Sequence, residues 1–405
     1  MDTLLAIKPS ESETKEIQPK STSHQKVWYA PNMFDAFDEE EVMAVLGCLR
    51  SGWLAPGPLT DKFEQIVASY FGKQFGIMVN SGSSANLLAL AALELKPGDE
   101  VITPALTFST TIAPVFQVGG TPILFDVERD TFVPTVESIV EAITTKTRVI
   151  LLPNLMGSKP DWDGLKEQVH GKMRRTDIIL LEDSCDTMSH TLTSDISTIS
   201  FYASHVITAG GGGGMVMMND KKLLDKCLMY RDWGRIGSNS EEMEERFDHS
   251  LDGLEYDFKF LFGVRGYNLR AVEMNAAFGL VQMDKLSGFL SIRKRNLHRY
   301  IERLTGSSFM LPRNAEDFNW LALPLIHPNR KEVCFHLESH GVQTRLCMAG
   351  NISRHPGFAH LKKEFPEADE VMRNGFMIGL HHGLSLEDVD HVCDLLIEFE
   401  RKSKE

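Results

Sequence analysis

Short apolar runs alternate with helical stretches between residues 60 and 220, and this alternation constrains the fold more than any other feature of the sequence. The runs at 75–79, 148–153 and 177–182 are mostly apolar, as strands buried on both faces are. Segments with helical spacing separate them, for example 61–71 and 83–94. The pattern predicts an α/β fold with a mostly parallel sheet that helices cover on both faces.

The pattern changes near residue 285. A long charged helix is predicted over 288–304, followed by strand-like segments at 320–326 and 342–346 and by a helix at 386–400. Residues 1–26 are polar and rich in Ser, Lys and Glu, as flexible segments are. We therefore predict a flexible tail over 1–26, a large α/β domain over 27–285 and a smaller α+β domain over 286–405.

Charge and cysteine content disfavour several classes of protein. The 42 basic and 56 acidic residues give a net charge of −14, which argues against a protein that coats nucleic acid or an anionic membrane. No apolar run approaches the ~20 residues of a membrane helix, and the stretch at 4–7 is too short for a signal peptide. The six cysteines form no CxxC pair, which disfavours a zinc site or a disulfide framework. These observations predict a cytoplasmic protein without a metal site.

Ligands in such folds bind at the carboxyl ends of the strands, in the loops that lead into helices. Four of these loops carry suggestive residues. The first is 80–86, where Gly82, Ser83 and Ser84 begin a predicted helix whose free N–H groups suit a phosphate. The same sequence is also that of an ordinary serine cap. The second loop contains Phe108, which would either stack on a planar ring or belong to the core.

The third loop, 182–186, places Asp183 and Asp186 at the end of a buried strand, where a carboxylate needs a cationic partner. One of them could hold the protonated pyridine nitrogen of a cofactor, and an acidic turn that caps a helix is the alternative. The fourth loop runs from Ser200 to His205 and precedes five glycines at 210–214, which favour tight turns. His205 could serve as a base near neutral pH, or it could be structural.

The order and spacing of these loops resemble those of the DegT/DnrJ/EryC1/StrS sugar aminotransferase family, within the fold-type I pyridoxal-phosphate-dependent transferases. The resemblance extends from about residue 31 to 399 and includes the segments 51–57 and 266–270. It implies a large domain with a mostly parallel sheet and a smaller α+β domain. It also implies that Gly82 and Ser83, with Ser200, hold the cofactor phosphate, and that Ser84 belongs to the same cofactor-binding turn.

The same resemblance implies the remaining contacts to the cofactor. Asp183 would keep the pyridine nitrogen protonated, Asp186 would fix the hydroxyl side of the ring, and Phe108 would stack on its face. Asn268 would reach the phosphate of the neighbouring subunit's cofactor. The family pattern therefore implies a homodimer with shared active sites.

One position departs from the aminotransferases of this family. They have a lysine five residues after the serine of the Ser-Phe motif, which holds the cofactor covalently, and here that position is His205. No lysine occurs between Lys172 and Lys221. The histidine resembles that of a branch of dehydratases that use pyridoxamine phosphate (PMP) and act at C3 of nucleotide-linked 4-keto-6-deoxyhexoses. The resemblance implies non-covalent PMP as the resting cofactor and His205 as the catalytic base.

That branch has two types. One carries a [2Fe-2S] cluster on four cysteines, most of them just after the segment that here is 231–235, but no cysteine follows it before Cys334. Only Cys185 occupies one of the cluster positions, so we expect no iron–sulfur cluster. The other type acts on GDP-linked 4-keto-6-deoxymannose and uses glutamate to regenerate PMP from pyridoxal phosphate. This sequence resembles the second type, including its segment 154–157.

The resemblance also indicates where the nucleotide-sugar would bind. The segment 344–354 resembles a signature of the branch, and arginine pairs well with diphosphate oxygens. Its side chains could instead form surface ion pairs. The candidate substrate-binding residues are Arg345, Asn351 and Arg354.

Two departures from the family pattern leave the activity open. The family usually has an acidic residue where this chain has Gly211 and a second histidine where it has Val206, and either change could alter substrate choice or reduce activity. One alternative is a transaminase that uses PMP as amine donor and makes an amino sugar. Another is a non-catalytic protein that binds a ligand or partner, against which the presence of Asp183, Ser200 and Asn268 counts.

Overall fold

A computed structural model of the chain describes residues 26–31, 36–236 and 242–402, apart from the side chain of residue 245. The predicted tail over 1–26 lies outside these residues except for Lys26. Within the described ranges, no helix combines the length and the apolar character that crossing a membrane requires.

A seven-stranded sheet forms the centre of the larger part of the chain. Its strands are β1 (Phe75–Val79), β2 (Glu100–Pro104), β3 (Thr121–Phe125), β4 (Thr147–Pro153), β5 (Ile179–Asp183), β6 (Ile196–Ser200) and β7 (Gly214–Met218). Their spatial order is β1-β7-β6-β5-β4-β2-β3. Neighbours from β6 to β3 pair in parallel, whereas β7 runs antiparallel to both β6 and β1. The predicted mostly parallel sheet is confirmed, with β7 reversed.

Nine α-helices lie in the described part of the chain up to residue 304, and five of them are the first α-helix after a strand of this sheet. The nine are α1 (Glu39–Ser51), α2 (Pro58–Tyr70), α3 (Gly82–Ala92), α4 (Ser109–Gln117), α5 (Val136–Glu141), α6 (Trp162–Lys166), α7 (Lys221–Arg231), α8 (Met243–Phe247) and the long α9 (Glu273–Leu304). Helix α6 continues as a π-helical turn over Glu167–Lys172. A small hairpin of β8 (Ser250–Leu251) and β9 (Leu254–Glu255) lies between α8 and α9.

Successive residues of a strand face two different hydrophobic cores, as the pleat of a sheet buried on both sides requires. In β1, Ile77 and Val79 pack into the core that Leu88 of α3 enters. Met78, between them, packs on the opposite side with Phe63 of α2. Helices therefore cover both faces, and the uniformly apolar strands of the sequence follow from that double burial.

Helix α9 begins fifteen residues before the predicted start at residue 288, so that prediction was wrong. Glu273 is buried at its first position and accepts hydrogen bonds from the backbone N–H groups of Gly57 and Leu59, at 2.7 and 2.6 Å. Its carboxylate thereby satisfies the free donors at the start of α2. Gly279 lies inside α9 and permits close packing of this helix against α2. A Cβ at this position would lie 2.5 Å from the Phe63 ring.

The C-terminal part of the chain contains a smaller antiparallel sheet. Strands β10 (Leu323–Ile326), β11 (Arg345–Leu346) and β12 (Gly375–Ile378) lie in the order β10-β12-β11. Helices α10 (Arg330–Ser339), α11 (Pro366–Asn374) and α12 (Leu386–Lys402) accompany them. The proposed domain boundary after residue 285 falls inside α9, which packs against α1 and α2 as well as against α12. The division at that residue stays a prediction.

Residues 26–31, here called the N-terminal strap, run beside the smaller sheet. The Val27 N–H donates to the Gly341 carbonyl at 3.0 Å, and the Gln343 N–H donates back to the Val27 carbonyl at 2.8 Å. The Tyr29 N–H donates to Oε1 of Gln343 at 3.2 Å. These bonds attach the first described residues to the segment that precedes β11.

Candidate active site

A cavity of about 400 Å³ lies at the carboxyl ends of the central strands. All four loops that the sequence singled out contribute to its wall, since the carboxyl ends of parallel strands meet at one edge of a sheet. The predicted site residues that line it are Gly82, Ser83, Phe108, Asp183, Asp186, Ser200 and His205.

Asp183 ends β5 with its carboxylate buried in the cavity wall. Its Oδ2 accepts hydrogen bonds from Nδ2 of Asn86 at 2.8 Å and from Oγ1 of Thr111 at 2.9 Å, and its Oδ1 accepts one from the N–H of Cys185 at 3.1 Å. No ion pair to Asp183 occurs among the residues that the structure describes. A carboxylate held by neutral donors beside a cavity suits a ligand with a protonated ring nitrogen.

Asn86 and Thr111 are site residues that the sequence analysis missed. Asn86 lies on the buried face of α3, where it also accepts a hydrogen bond from Thr198 Oγ1 at 2.6 Å, and Thr111 lies in the first turns of α4. The available signal was an asparagine among alanines and leucines on the buried side of a helix, where a polar side chain must find partners. The structure shows that Asp183 is one of its partners.

The start of α3 forms a cradle of backbone N–H groups. Ser81 is the N-cap, and its Oγ accepts the N–H of Ser84 at 3.1 Å, so the N–H groups of Gly82 and Ser83 have no partner within the helix. A Cβ at Gly82 would lie 2.5 Å from Cβ of Ser200 and 2.7 Å from Sγ of Cys185. Only glycine therefore lets this helix start approach Ser200.

Two further residues of these loops have distinct placements. The Oγ of Ser84 donates to Oδ1 of Asn80 at 2.6 Å, and Ser84 is not part of the cavity wall. Phe108 immediately precedes α4, lines the cavity and is 51% exposed. An exposed aromatic ring in a cavity wall can stack on a planar ligand.

His205 lies in a turn after β6, with its backbone N–H bonded to the Tyr202 carbonyl at 3.0 Å. Burial lowers the pKa of its imidazole to about 4, and the hydrogen bond to the Ser200 carbonyl only partly opposes this shift. The imidazole is therefore neutral near pH 7. Because no lysine lines this cavity among the residues that the structure describes, His205 is its candidate base.

Asp186 lies in the same cavity and accepts a hydrogen bond at Oδ2 from the Met156 N–H at 3.0 Å. Burial is the main cause that raises the pKa of its carboxyl to about 7; the hydrogen bond from Met156 opposes this shift, and the charge of Asp183 adds to it. Met156 has a left-handed backbone, with φ of 56°, inside the segment 154–157 that the sequence analysis singled out. That turn aims the Met156 N–H at Asp186. At neutral pH the Asp186 carboxyl can thus both accept and donate hydrogen bonds.

The candidate substrate residues lie in one segment outside the cavity wall. Arg345 is exposed in β11, with its guanidinium 5.6 Å from the centre of the Tyr29 ring. Asn351 is fully buried and donates from Nδ2 to Oδ1 of Asp369 at 2.7 Å, and Arg354 pairs with the same Asp369. Their role toward a substrate stays a prediction.

The remaining positions of interest also have defined places. Asn268 is exposed and does not line the cavity of its own chain. Val206 is buried in the core beneath the loop. Gly211 has φ of +96°, in the region that favours glycine, and its N–H donates to Oγ1 of Thr208 at 2.9 Å.

Among the described residues, no group of three His, Cys, Asp or Glu side chains could hold a metal ion.

The fold and the cavity define an enzyme built on the aminotransferase fold of pyridoxal-phosphate-dependent proteins, with its site at the strand ends. The chain belongs to the DegT/DnrJ/EryC1/StrS aminotransferase family, which it matches over residues 35–397. Both the predicted fold class and the predicted family are confirmed.

Similar proteins include both dehydratases and aminotransferases. The chain is 35% identical over 399 residues to dTDP-4-dehydro-2,6-dideoxy-D-glucose 3-dehydratase of Saccharopolyspora spinosa, covering 90% of this chain and 85% of that one. It is 28% identical over 384 residues to GDP-perosamine synthase of Escherichia coli O157:H7, covering 92% and 98%. Solved structures of GDP-4-keto-6-deoxymannose-3-dehydratase are similar as well. A variant with bound GDP-perosamine superposes with a TM-score of 0.81 at 27% identity, covering 91% of this chain and 100% of that one. A form with a trapped PLP-glutamate geminal diamine gives 0.80 at 27%, covering 91% and 99%.

Proposed function

We propose that this protein is a PMP-dependent dehydratase that removes the C3 hydroxyl of a nucleotide-linked 4-keto-6-deoxyhexose and yields a 3,6-dideoxy-4-ketohexose. The observation that carries the proposal is the cavity at the strand ends, whose described lining residues include His205 and no lysine. A site without an amine cannot bind an aldehyde cofactor covalently, so the amine form, held non-covalently, is the form that it can use. The similarity to named 3-dehydratases supports the same reaction.

The cavity residues fit PMP and pyridoxal phosphate. Asp183, with its neutral donors and no ion pair among the described residues, would hold the protonated pyridine nitrogen. The N–H groups of Gly82 and Ser83, with Ser200, would bind the phosphate. Phe108 would cover one face of the ring, and Asp186 would contact the ring hydroxyl. When bound, the cofactor supplies the amine that reacts with the sugar ketone and a ring that accepts electrons.

His205 would move the proton. Its Nδ1 faces the Ser200 carbonyl at 3.3 Å, which leaves the lone pair on Nε2. Nε2 would accept the proton lost in the elimination, and the imidazolium would then return it to the departing C3 hydroxyl, which leaves as water. The neutral imidazole makes the acceptor available at neutral pH.

For the substrate, we propose that Arg345 contacts the diphosphate at the mouth of the cavity, because its guanidinium is exposed. Asn351 and Arg354 share Asp369, so they would reach a nucleotide only by exchanging that partner. Otherwise they support the loop that contains Met348, which lines the cavity. The names of the relatives give both dTDP-linked and GDP-linked sugars, so the proposed substrate is a nucleotide-sugar whose nucleotide the experiment below identifies.

We further propose a homodimer in which Asn268 reaches the cofactor of the second subunit. Asn268 is exposed and outside its own cavity, as that role requires. The preceding segment exposes several large apolar side chains, and such patches typically mark interfaces. They are Leu251, Leu254, Tyr256, Phe260 and Phe262.

The test is to incubate the purified protein with PMP, glutamate and the GDP-, dTDP- or CDP-linked 4-keto-6-deoxyhexose, and to measure the mass of the nucleotide-sugar. The dehydratase yields a sugar lighter by one oxygen atom, together with one 2-oxoglutarate from glutamate and one ammonia. A transaminase, the alternative supported by the similarity to GDP-perosamine synthase, yields an amino sugar and 2-oxoglutarate without ammonia. Bound cofactor without any change in the three sugars would favour a non-catalytic protein.

A further inference from the structure

We propose that Tyr29 is a ligand-contact residue of this active site, whose phenol O–H donates a hydrogen bond to the ring hydroxyl oxygen of the cofactor beside Asp186. The inference rests on the proposed cofactor and adds a residue that the sequence analysis placed at the border of a flexible tail. Tyr29 lines the cavity together with Asp186.

The position of Tyr29 is fixed from both sides along the chain. Before it, the Trp28 carbonyl accepts a hydrogen bond from Nε2 of His381 at 3.1 Å, and the Val27 backbone pairs with the strand-like segment at Gly341 and Gln343. At Tyr29 itself, the N–H donates to Oε1 of Gln343 at 3.2 Å. The hydrogen bonds of the strap backbone therefore hold Tyr29 in the cavity wall, and they do not depend on a ligand.

The phenol oxygen is available to a ligand. Within the part of the chain that the structure describes, no hydrogen bond to this oxygen occurs. Tyr29 is half-buried in the cavity wall, so its phenol can donate a hydrogen bond to an acceptor on a ligand that enters the cavity. Two acceptors of this cavity could take the hydrogen bond. One is the Asp186 carboxyl, and the other, once the cofactor is bound, is the ring hydroxyl oxygen that Asp186 is proposed to contact.

The charges around Tyr29 favour the donor form. Burial raises the pKa of its phenol far above the usual value, and Asp186 raises it further. Arg345 and Arg293 act in the opposite direction, and the Cys347 thiol adds a small contribution that raises it. Because burial dominates, Tyr29 keeps its proton at physiological pH and can donate it in a hydrogen bond.

Two donors at one ring oxygen would have a defined effect. Tyr29 and the protonated fraction of Asp186 would stabilise the ionised ring hydroxyl and so lower its pKa. Together with Asp183 at the ring nitrogen, they would also fix the rotation of the ring in its plane, which orients the reacting carbon toward His205. The proposed role is thus one of binding and positioning, with no proton transfer by Tyr29.

The test uses the full chain and pyridoxal phosphate, whose absorption spectrum reports the ionisation of its ring hydroxyl. The spectral midpoint with pH and the dissociation constant are measured for wild type and for Tyr29→Phe, which removes one oxygen atom and leaves the aromatic ring. We expect the midpoint of Tyr29→Phe to rise by about one pH unit, and its affinity to fall about three- to tenfold. Trp28→Phe, a neighbouring change in the strap outside the cavity wall, should leave the midpoint unchanged.

A second comparison separates contact with the ring oxygen from a general loosening of the strap. If Tyr29 and Asp186 meet at one oxygen, the midpoint shifts of Tyr29→Phe and Asp186→Asn are not additive in the double variant. Equal midpoints and affinities for wild type and Tyr29→Phe would overturn the proposed contact while leaving the cofactor proposal intact. A wild-type protein that binds no pyridoxal phosphate would overturn both.

Discussion

The Nδ1 atom of His205 lies 3.3 Å from the carbonyl oxygen of Ser200, five residues earlier in the chain. A carbonyl oxygen can only accept, so this contact assigns the ring proton to Nδ1 and the lone pair to Nε2. The same loop thus supplies a proposed phosphate ligand and orients the proposed base. In the proposed mechanism, one short turn after β6 would link cofactor binding to catalysis.

Replacing His205 by Asn should abolish dehydration and leave cofactor binding intact. Asparagine fills a similar volume without a group that accepts a proton near neutral pH, and a positioned general base contributes about 10²–10⁴-fold to a rate. The measurement is the rate of product formation at saturating PMP, with PMP affinity as the control. An unchanged rate would remove His205 from the mechanism.

The kcat/KM of dehydration should change little near pH 6.5, where a base with the usual histidine pKa would lose activity. Burial lowers the pKa of His205 to about 4, so the neutral, active imidazole persists above that value and is lost as the pH falls through it. The measurement is kcat/KM from about pH 5 to about pH 8. The Asp186→Asn variant serves as control, because it removes a second group of the same cavity whose pKa lies in this range. An acidic limb near 6.5 in both proteins would contradict the shifted pKa.

Asp186 should make the cofactor-free protein less stable as the pH rises. Burial raises the pKa of its carboxyl from 3.8 to about 7, so the unfolded chain releases this proton at lower pH than the folded chain does. The stabilising contribution of the protonated form is therefore complete below 3.8 and disappears as the pH rises through about 7. The thermal midpoint of Asp186→Asn minus that of wild type should therefore increase between about pH 5 and about pH 8. A constant difference would contradict the raised pKa.

Thr111→Val should weaken cofactor binding without affecting the fold. The substitution removes the hydroxyl that donates to Asp183 at 2.9 Å and keeps the shape of the side chain. Loss of one such bond costs about 0.5–1.5 kcal/mol, which corresponds to about two- to tenfold in PMP affinity. Thr145→Val, an exposed site away from the cavity, provides the matched control. Equal affinities for the two variants would show that Asp183 does not need this donor.

Gly82→Ala should impair the phosphate cradle. A Cβ at this position would lie 2.5 Å from Cβ of Ser200, so the start of α3 would have to move away from β6. Overpacking of this kind costs about 1–3 kcal/mol, and PMP affinity should fall at least tenfold. Gly288→Ala is the control, because nothing lies within 4 Å of its added Cβ and alanine favours a helix by about 1 kcal/mol. A normal PMP affinity of Gly82→Ala would contradict the proposal that the start of α3 binds the cofactor phosphate.

Sequence alone predicted the sheet and those site residues that belong to the four loops. Asp183 and His205 could be singled out because Asp183 ends a strand and His205 lies in the turn after the next one, so local sequence determines their location. Asn86 and Thr111 could not, because their function arises from contacts with Asp183, 97 and 72 residues away. No local pattern states which buried carboxylate such donors will meet.

Two other positions show different limits of the sequence. Gly211 drew attention as a missing charge, but its φ of +96° means that any side chain there would also strain the backbone, so a substitution to Glu would test two effects at once. The arginine at 354 was a candidate for a diphosphate, and in the structure it pairs with Asp369. Only three-dimensional contacts reveal whether an arginine is already engaged.

The strap has a consequence for the biosynthesis of the enzyme. Tyr29 is among the first described residues to leave the ribosome, whereas its partner Gln343 lies 314 residues later. The central sheet and its four loops can assemble before then, but the cavity would stay open on the side of Tyr29 until translation has passed β11. A nascent chain would therefore expose a half-built cofactor pocket from the synthesis of β7 until that of β11, and cofactor loading would become complete only in the last part of translation.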